Sequence, residues 1–244
     1  MNRLKRFTLL LSLLSSVLVS CVTRGAENPI FSNLLNSTCS APCWFGVTPG
    51  QTSKDELTKL IPTFPYYQDN RTTWTDNQYQ SSHTAPDTTN STFIMIVGDN
   101  WATVYINVVD NVVSNILVSS ALNNSFEYKD IDFTLDDILR LYGKPTDLFL
   151  DSGCFKRACQ NLFLVYSKQS ILVVVESKDL SLNLQVSPTL PVRHVAFFKP
   201  FQFTEVISML TGNEDLKQCN LFPFRVAWQG YTTVQFPKRL SECY

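Results

Sequence analysis

The residues of this 244-residue chain with most chemistry to offer are seven cysteines, two histidines and four tryptophans. Cys21 stands alone near the N-terminus. Cys39 and Cys43, Cys154 and Cys159, and Cys219 and Cys243 fall in three close-spaced couples. Thiols at such positions can be acylated, oxidised in pairs or used to bind metal. Zinc favours paired Cys-x₂-Cys knuckles or Cys/His sets. Cys39-x₃-Cys43 and Cys154-x₄-Cys159 are not such knuckles, and only His83 and His194 could complete a site, so the reading is no metal and no cofactor. A serine or cysteine nucleophile needs a base, most often histidine. His83 lies in a polar run. His194, beside Arg193 in a strand pattern, reads as a structural or exposed strand residue.

No Gly-x-Ser-x-Gly elbow, His-Glu-x-x-His or Ser-x-x-Lys box is present. Eight glycines leave little room for a phosphate-cradling loop. Asp136 and Asp137 are neighbours on a predicted helix and cannot share a face. Acids in a first turn favour the helix dipole, which is the role assigned to them. Glycosidase acids can lie far apart in a chain, so that pairing stays open. No catalytic residue is assigned, and the chain reads as a non-enzyme. Trp44 and Trp101 read as core. Trp74, in a polar stretch with Tyr79 and His83, marks a candidate binding surface for a protein or carbohydrate. Asn36, Asn70, Asn90 and Asn123 stand in Asn-x-Ser/Thr sequons, read as accidents of an Asn/Thr-rich composition.

The N-terminus explains the lone cysteine. Arg3, Lys5 and Arg6 precede an apolar run from Leu9 to Val19, which makes a charged n-region and an h-region. The run is too short to span a bilayer, which takes about 20 apolar residues. Leu18-Val19-Ser20-Cys21 resembles the lipobox of bacterial lipoproteins: Leu, a small or branched residue, a small residue, then Cys. The resemblance implies diacylglyceryl transfer to the Cys21 thiol and cleavage before it. Stable anchoring takes two or more acyl chains at about 0.8 kcal/mol per buried CH₂. Val22 follows, where the proteobacterial inner-membrane retention rule would place Asp. The expected location is therefore extracytoplasmic, lipid-anchored to the cell membrane or envelope. The six remaining cysteines, an even number in an exported chain, read as disulfides. Proximity suggests the couples Cys39–Cys43, Cys154–Cys159 and Cys219–Cys243.

Without the leader the chain keeps 17 basic residues against 21 acidic, a formal charge of −4. Nucleic-acid binding wants a basic patch, so that partner class is excluded. The hydrophobic fraction of 44% suffices for a core.

The elements that must position these groups follow in order. Residues 1–20 are the leader and 21–38 a polar tether. Pro49-Gly50 is a turn, and Thr52 or Ser53 caps a helix carrying Leu57, Leu60 and Ile61, ended by Pro62 and Pro65. Residues 68–91 read as a polar loop with a short edge strand around Trp74. TFIMIVG, WATVYINVV and NVVSNILVSS are β-rich, with turns at Gly98-Asp99-Asn100 and Asp110-Asn111. The order then repeats at a spacing of about 80 residues. Thr134 caps a stripe of Leu135, Ile138, Leu139 and Tyr142, stopped by Gly143 and Pro145. NLFLVYS, SILVVVES and VRHVAFFKP read as strands. In the tail TEVISMLTGN is helix-like and FRVAWQGYTTVQF strand-like.

Pro42 to Thr52 (PCWFGVTPGQT) resembles a Pro-Cys-Trp-x-Gly-[Ile/Val]-x-Pro-Gly-x-Thr signature. That signature belongs to uncharacterised exported lipoproteins of Chloroflexi-type bacteria. FTLDDILRLYGKPTDL and AWQGY resemble further segments of them. Together these cover about a fifth of the chain, and they imply no activity. Gly50-Gln51-Thr52 and Leu141-Tyr142-Gly143-Lys144-Pro145 more loosely resemble modules of the β-lactamase-inhibitor-protein type. There a helix opening on Gly-x-Thr packs on an antiparallel sheet.

The expected fold is thus α+β, with helices packed on one face of antiparallel meander sheets in two tandem modules. The modules are 39–122 and 123–200, followed by a disulfide-pinned extension, 201–244. The expected function is that of a cell-envelope lipoprotein acting as a non-enzymatic binding module for an envelope protein or carbohydrate. The alternative is a secreted-side hydrolase acting on carbohydrate or peptide. It would need two converging acids, or an acid beside His83 or His194.

Overall fold

A computed structural model describes residues 30–35, 39–69, 72–78, 90–98, 102–120, 133–151, 160–177, 183–199 and 225–235. Outside these lie Cys21, Tyr79, His83, Trp101, Cys154, Cys159, Cys219 and Cys243, the leader and the stretch 204–213.

Antiparallel β-structure dominates. The strands β1 (Thr73–Gln78), β2 (Ser91–Val97), β3 (Ala102–Val109) and β4 (Val112–Ser120) form a meander. Asp110 and Asn111 both have positive φ, 52° and 60°, which turns β3 tightly into β4. A second group comprises β5 (Asp147–Asp151), β6 (Gln160–Tyr166), β7 (Ile171–Ser177) and β9 (Val192–Phe198). All join one nine-stranded sheet in the order β1-β2-β3-β4-β9-β7-β6-β5-β10, where β10 is Arg225–Val226. The seam between the groups is β4 against β9, with Leu117 opposite Ala196 and Ser119 opposite His194. A separate ribbon pairs β8 (Asn183–Gln185) with β11 (Thr233–Gln235).

Among the described residues, helices are few and short. They are α1 (Ile30–Leu35), α2 (Lys54–Leu60) and α3 (Leu135–Tyr142). The α+β expectation holds in part: the described residues form a mostly antiparallel sheet with short helices, so this part of the chain is predominantly β. The helices are limited by the stops that the sequence carries. Pro62 leaves only a 3₁₀ turn after α2, and Gly143, with φ 76°, ends α3. Their starts match the expectation. Ser53 caps α2 in a capping box with Glu56. The Asp137 carboxylate accepts from the backbone N–H and hydroxyl of Thr134, both at 2.8 Å.

The sheet has two different faces. On the inner face, Met95, Val104, Ile106, Val118, Val173 and Val195 pack with Leu34, Leu57, Leu135 and Ile138 of the three helices, all buried. Burying each large aliphatic side chain contributes about 1.5–3 kcal/mol before the entropy of ordering is counted. β2 and β3 alternate buried and half-buried residues, so their outer face meets solvent. β7 and β9 are buried almost throughout, as their unbroken apolar runs require. Their outer face, with Leu172, Val174, Ala196 and Phe198, joins Phe163 and Val165 of β6 in a second buried cluster.

Candidate functional site

The Pro42–Thr52 signature forms a tight knot under the sheet. Cys39 and Cys43 are disulfide-bonded, with Cα atoms 5.6 Å apart. This is the one expected couple that falls among the described residues. Trp44 is fully buried, and its indole Nε1 donates to the Leu34 carbonyl at 2.6 Å. Its backbone exchanges hydrogen bonds with Val47 at 2.8 and 2.9 Å. Gly50 has φ +81°, and its N–H donates to Val113 in β4 at 2.7 Å. A side chain there is barred twice: by φ, and by a Cβ that would lie 2.9 Å from Lys199 Cβ. Thr52 is buried, and its Oγ1 accepts from Thr48 N–H at 2.8 Å. The described signature residues thus carry structural roles.

Beside this knot lies an open depression of about 500 Å³, lined by Gly46, Thr48, Gln51, Thr52, Glu56, Lys59 and Leu60. Glu56 is already engaged. The backbone N–H and hydroxyl of Ser53 hold its carboxyl below the usual carboxylate range. Lys59 is then the lining cation, at the end of α2.

Trp74, the candidate binding aromatic, points to the inner side, in register with Met95. It is half-buried and stacks near Phe64 and Tyr67, with centroids 6.0 and 5.6 Å away. Its companions Tyr79 and His83 lie outside the described residues.

The outer face of β2–β3 is the feature that sequence reasoning missed. Ile94 stands opposite Tyr105 and Ile96 opposite Thr103, all half-buried. Beside them runs a hydrogen-bonded row. The Thr92 hydroxyl donates to Asn107 Oδ1 at 2.8 Å, and Asn107 Nδ2 donates to Asn115 Oδ1 at 2.8 Å. A bulge between Asn107 and Val108 makes Ser114 the extra residue of β4, and its hydroxyl donates to the Asn107 carbonyl at 3.2 Å. The row fixes its own side chains and leaves a surface that is part apolar and part amide. The alternation in FIMIV and ATVYINV was the available signal.

The second unforeseen cluster lies on the seam. Ser119 Oγ and His194 Nδ1 are 2.8 Å apart. The same hydroxyl lies 3.3 Å from the Ser120 carbonyl, which can accept its proton. The register of β7 on β9 shifts between Val174 and Val175, so that Arg193 is the extra residue of a bulge. Arg193 Nε comes within 3.9 Å of Glu176 Oε2, and both side chains are largely buried. Burial, and then the Arg193 charge, push the His194 pKa down to about 4, although the residue as a whole is only half-buried. The imidazole is therefore neutral at pH 7. A neutral imidazole on a serine hydroxyl is the first contact that nucleophilic catalysis requires. It is also a satisfied cross-strand pair, since Ser119 is buried.

No helix among the described residues is long and apolar enough to cross a membrane, and no group of three or more metal-ligating side chains occurs among them. No family model, curated protein or solved structure matches the chain.

Proposed function

We propose that this chain is a lipid-anchored, extracytoplasmic interaction module, held at the membrane through Cys21 and binding an envelope protein or carbohydrate without catalysis. The observation that carries the reading is the outer face of β2–β3. Ile94, Ile96 and Tyr105 stay half-exposed beside amide groups locked by the Thr92–Asn107–Asn115 row. Rigid, partly apolar surfaces with an aromatic residue are what interfaces select, because little side-chain entropy is left to lose. The lipobox at Leu18–Cys21 supports the anchor, and the signature at Pro42–Thr52 supports kinship with exported lipoproteins. In this reading the two meanders are helix-plus-sheet modules, 39–122 and 123–200, joined along β4–β9. The tail is pinned by Cys219–Cys243, and Cys154–Cys159 closes a local loop. The test is photo-crosslinking from position 105 in the native envelope.

The Ser119–His194 contact favours a second reading, a hydrolase of carbohydrate or peptide. In it the Ser119 hydroxyl attacks and His194 takes its proton. A fluorophosphonate probe decides between the two: stoichiometric labelling of Ser119 supports the hydrolase, and an unlabelled chain supports the binding module.

A further inference from the structure

The depression beside the signature knot is built from two short pieces of chain. Gly46, Thr48, Gln51 and Thr52 come from the signature turn, and Glu56, Lys59 and Leu60 from α2. Its volume of about 500 Å³ lies within the range of about 300–1,000 Å³ that small-molecule sites occupy.

The charges of the lining argue against an ion as ligand. Hydrogen bonds from the Ser53 backbone N–H, and then from its hydroxyl, keep Glu56 ionised at neutral pH. An anion entering the depression would meet that carboxylate. Lys59 lies three residues further on, on the same side of α2, and its charge also lowers the Glu56 pKa. A cation would meet the Lys59 ammonium. The two lining charges offset each other, so neither sign is selected.

The remaining groups favour a ligand rich in hydroxyls. The Gln51 amide and the hydroxyls of Thr48 and Thr52 can each donate and accept. Thr52 Oγ1 accepts from the Thr48 N–H at 2.8 Å and keeps its own proton to donate. Leu60 supplies an apolar spot. It is left uncovered by Gly46, where a Cβ would rest on Leu60 Cδ2 at 3.6 Å. A wholly apolar ligand would strip water from Gln51, Glu56 and Lys59 and replace none of their hydrogen bonds. A sugar ring meets both demands, with a C–H face for Leu60 and hydroxyls that donate and accept.

We infer that this depression is a binding site for a neutral sugar, with one ring on Leu60 and its hydroxyls shared among Thr48, Gln51, Glu56 and Lys59. The frame is set before a ligand arrives. The Gly46 N–H donates to Cys39 Sγ of the disulfide at 3.5 Å. The N–H groups of Gln51 and Thr52 donate to the Thr48 carbonyl at 3.1 and 3.0 Å. The capping box fixes Glu56. Little backbone ordering is therefore left to weaken binding. The signature segment, besides its packing roles, supplies four of the seven lining residues. The site shares no residue with the outer face of β2–β3 and does not rest on the proposed function, so either can fail alone.

The experiment is a titration of the ¹⁵N-labelled mature chain, followed through its backbone amide resonances at constant ionic strength. The probes are methyl β-glucoside, N-acetylglucosamine, sodium acetate, ethylammonium chloride and alanine. At least one of the two sugars should give saturable shifts at Gly46, Thr48, Gln51 and Lys59, and the three charged probes should give none there. Gln51 is exposed, so Gln51→Ala should keep the spectrum of the fold while weakening sugar binding about threefold to tenfold, the effect of one lost hydrogen bond. Saturable shifts at these amides from acetate, ethylammonium or alanine overturn the inference, as does unchanged affinity in Gln51→Ala. The absence of saturable shifts from both sugars overturns it too. Sugar shifts confined to the Ile94 and Tyr105 region overturn this site while leaving the β2–β3 reading in place.

Discussion

Ser119 and His194, 75 residues apart in sequence, meet at 2.8 Å across the strand pair that joins the two halves of the sheet. Because burial, and then the Arg193 charge, hold His194 neutral, this contact resists acid only down to a limit. The unfolded chain takes up a proton near the ordinary histidine pKa, and the folded chain only near 4. Between those values the unfolded state binds more protons, so the contribution is complete above the ordinary pKa and is lost as pH falls toward 4. The loss amounts to about 3 kcal/mol, from about 1.4 kcal/mol per pKa unit. His194→Gln keeps a hydrogen-bonding partner for Ser119 but cannot titrate. Urea unfolding at pH 7 and pH 4.5 should show a smaller drop for this variant than for the wild type. Equal drops would sink the assignment.

The signature turn predicts a graded glycine series. Gly50 and Gly230 both have φ above +80°, but only Gly50 has backbone-anchored neighbours in the way of a Cβ. Gly230→Ala should cost about 1 kcal/mol for the left-handed conformation, and Gly50→Ala about 2–4 kcal/mol. Chemical denaturation of the two variants measures the difference, and the reverse order would contradict the packing.

Trp44 is buried with its indole N–H committed to the Leu34 carbonyl. Trp44→Phe removes that bond and leaves a void, at a cost of about 2–4 kcal/mol. A variant as stable as the wild type in thermal unfolding would show that α1 does not depend on this contact.

The two faces of β3 should respond differently to mutation. Val104 is fully buried on the inner face, and Val104→Ala should cost about 2 kcal/mol, whereas Tyr105→Ser on the outer face should cost about 1 kcal/mol or less. Matching losses in urea midpoints would mean that the outer face is also core.

The anchor is testable by mass. Intact protein from the membrane fraction should begin at Cys21 and carry the added mass of at least a diacylglyceryl group. Cys21→Ala should lack it and leave the membrane. Equal masses, after allowing for the substitution, would refute lipidation.

What the sequence revealed divides along physical lines. Local signals were readable. Ser53 with Glu56 and Thr134 with Asp137 cap the helices where expected, and Asp110-Asn111 makes the hairpin turn. The strand around Trp74 is there as well. The unbroken run in SILVVVES was read as a strand, but its two-sided burial depends on which strands flank it. β9 inserts between β4 and β7, and no local pattern specifies that insertion. For the same reason the Ser119–His194 and Arg193–Glu176 contacts were invisible: each depends on register, and the second on a bulge. Among the described residues the helices are a smaller part of the architecture than their sequence stripes suggest. A stripe such as Leu135, Ile138, Leu139 and Tyr142 shows helical spacing without telling how much of a core rests on it. The polar surroundings of Trp74 leave exposure and packing open, and strand register sets it, half-buried, on the side of Met95.

The proposed binding of another envelope molecule to the outer face of β2–β3 is open to a test in place. The most direct measurement places a photo-activatable phenylalanine analogue at Tyr105, with a second variant carrying it at the exposed turn residue Lys168 as the reference. After irradiation of intact envelopes, the account predicts one discrete adduct from position 105 and none of that mass from position 168. The adduct should diminish when Ile94→Asp is added on the same face. Identical adduct patterns from both positions, or an adduct from 105 that Ile94→Asp leaves untouched, would contradict the claim.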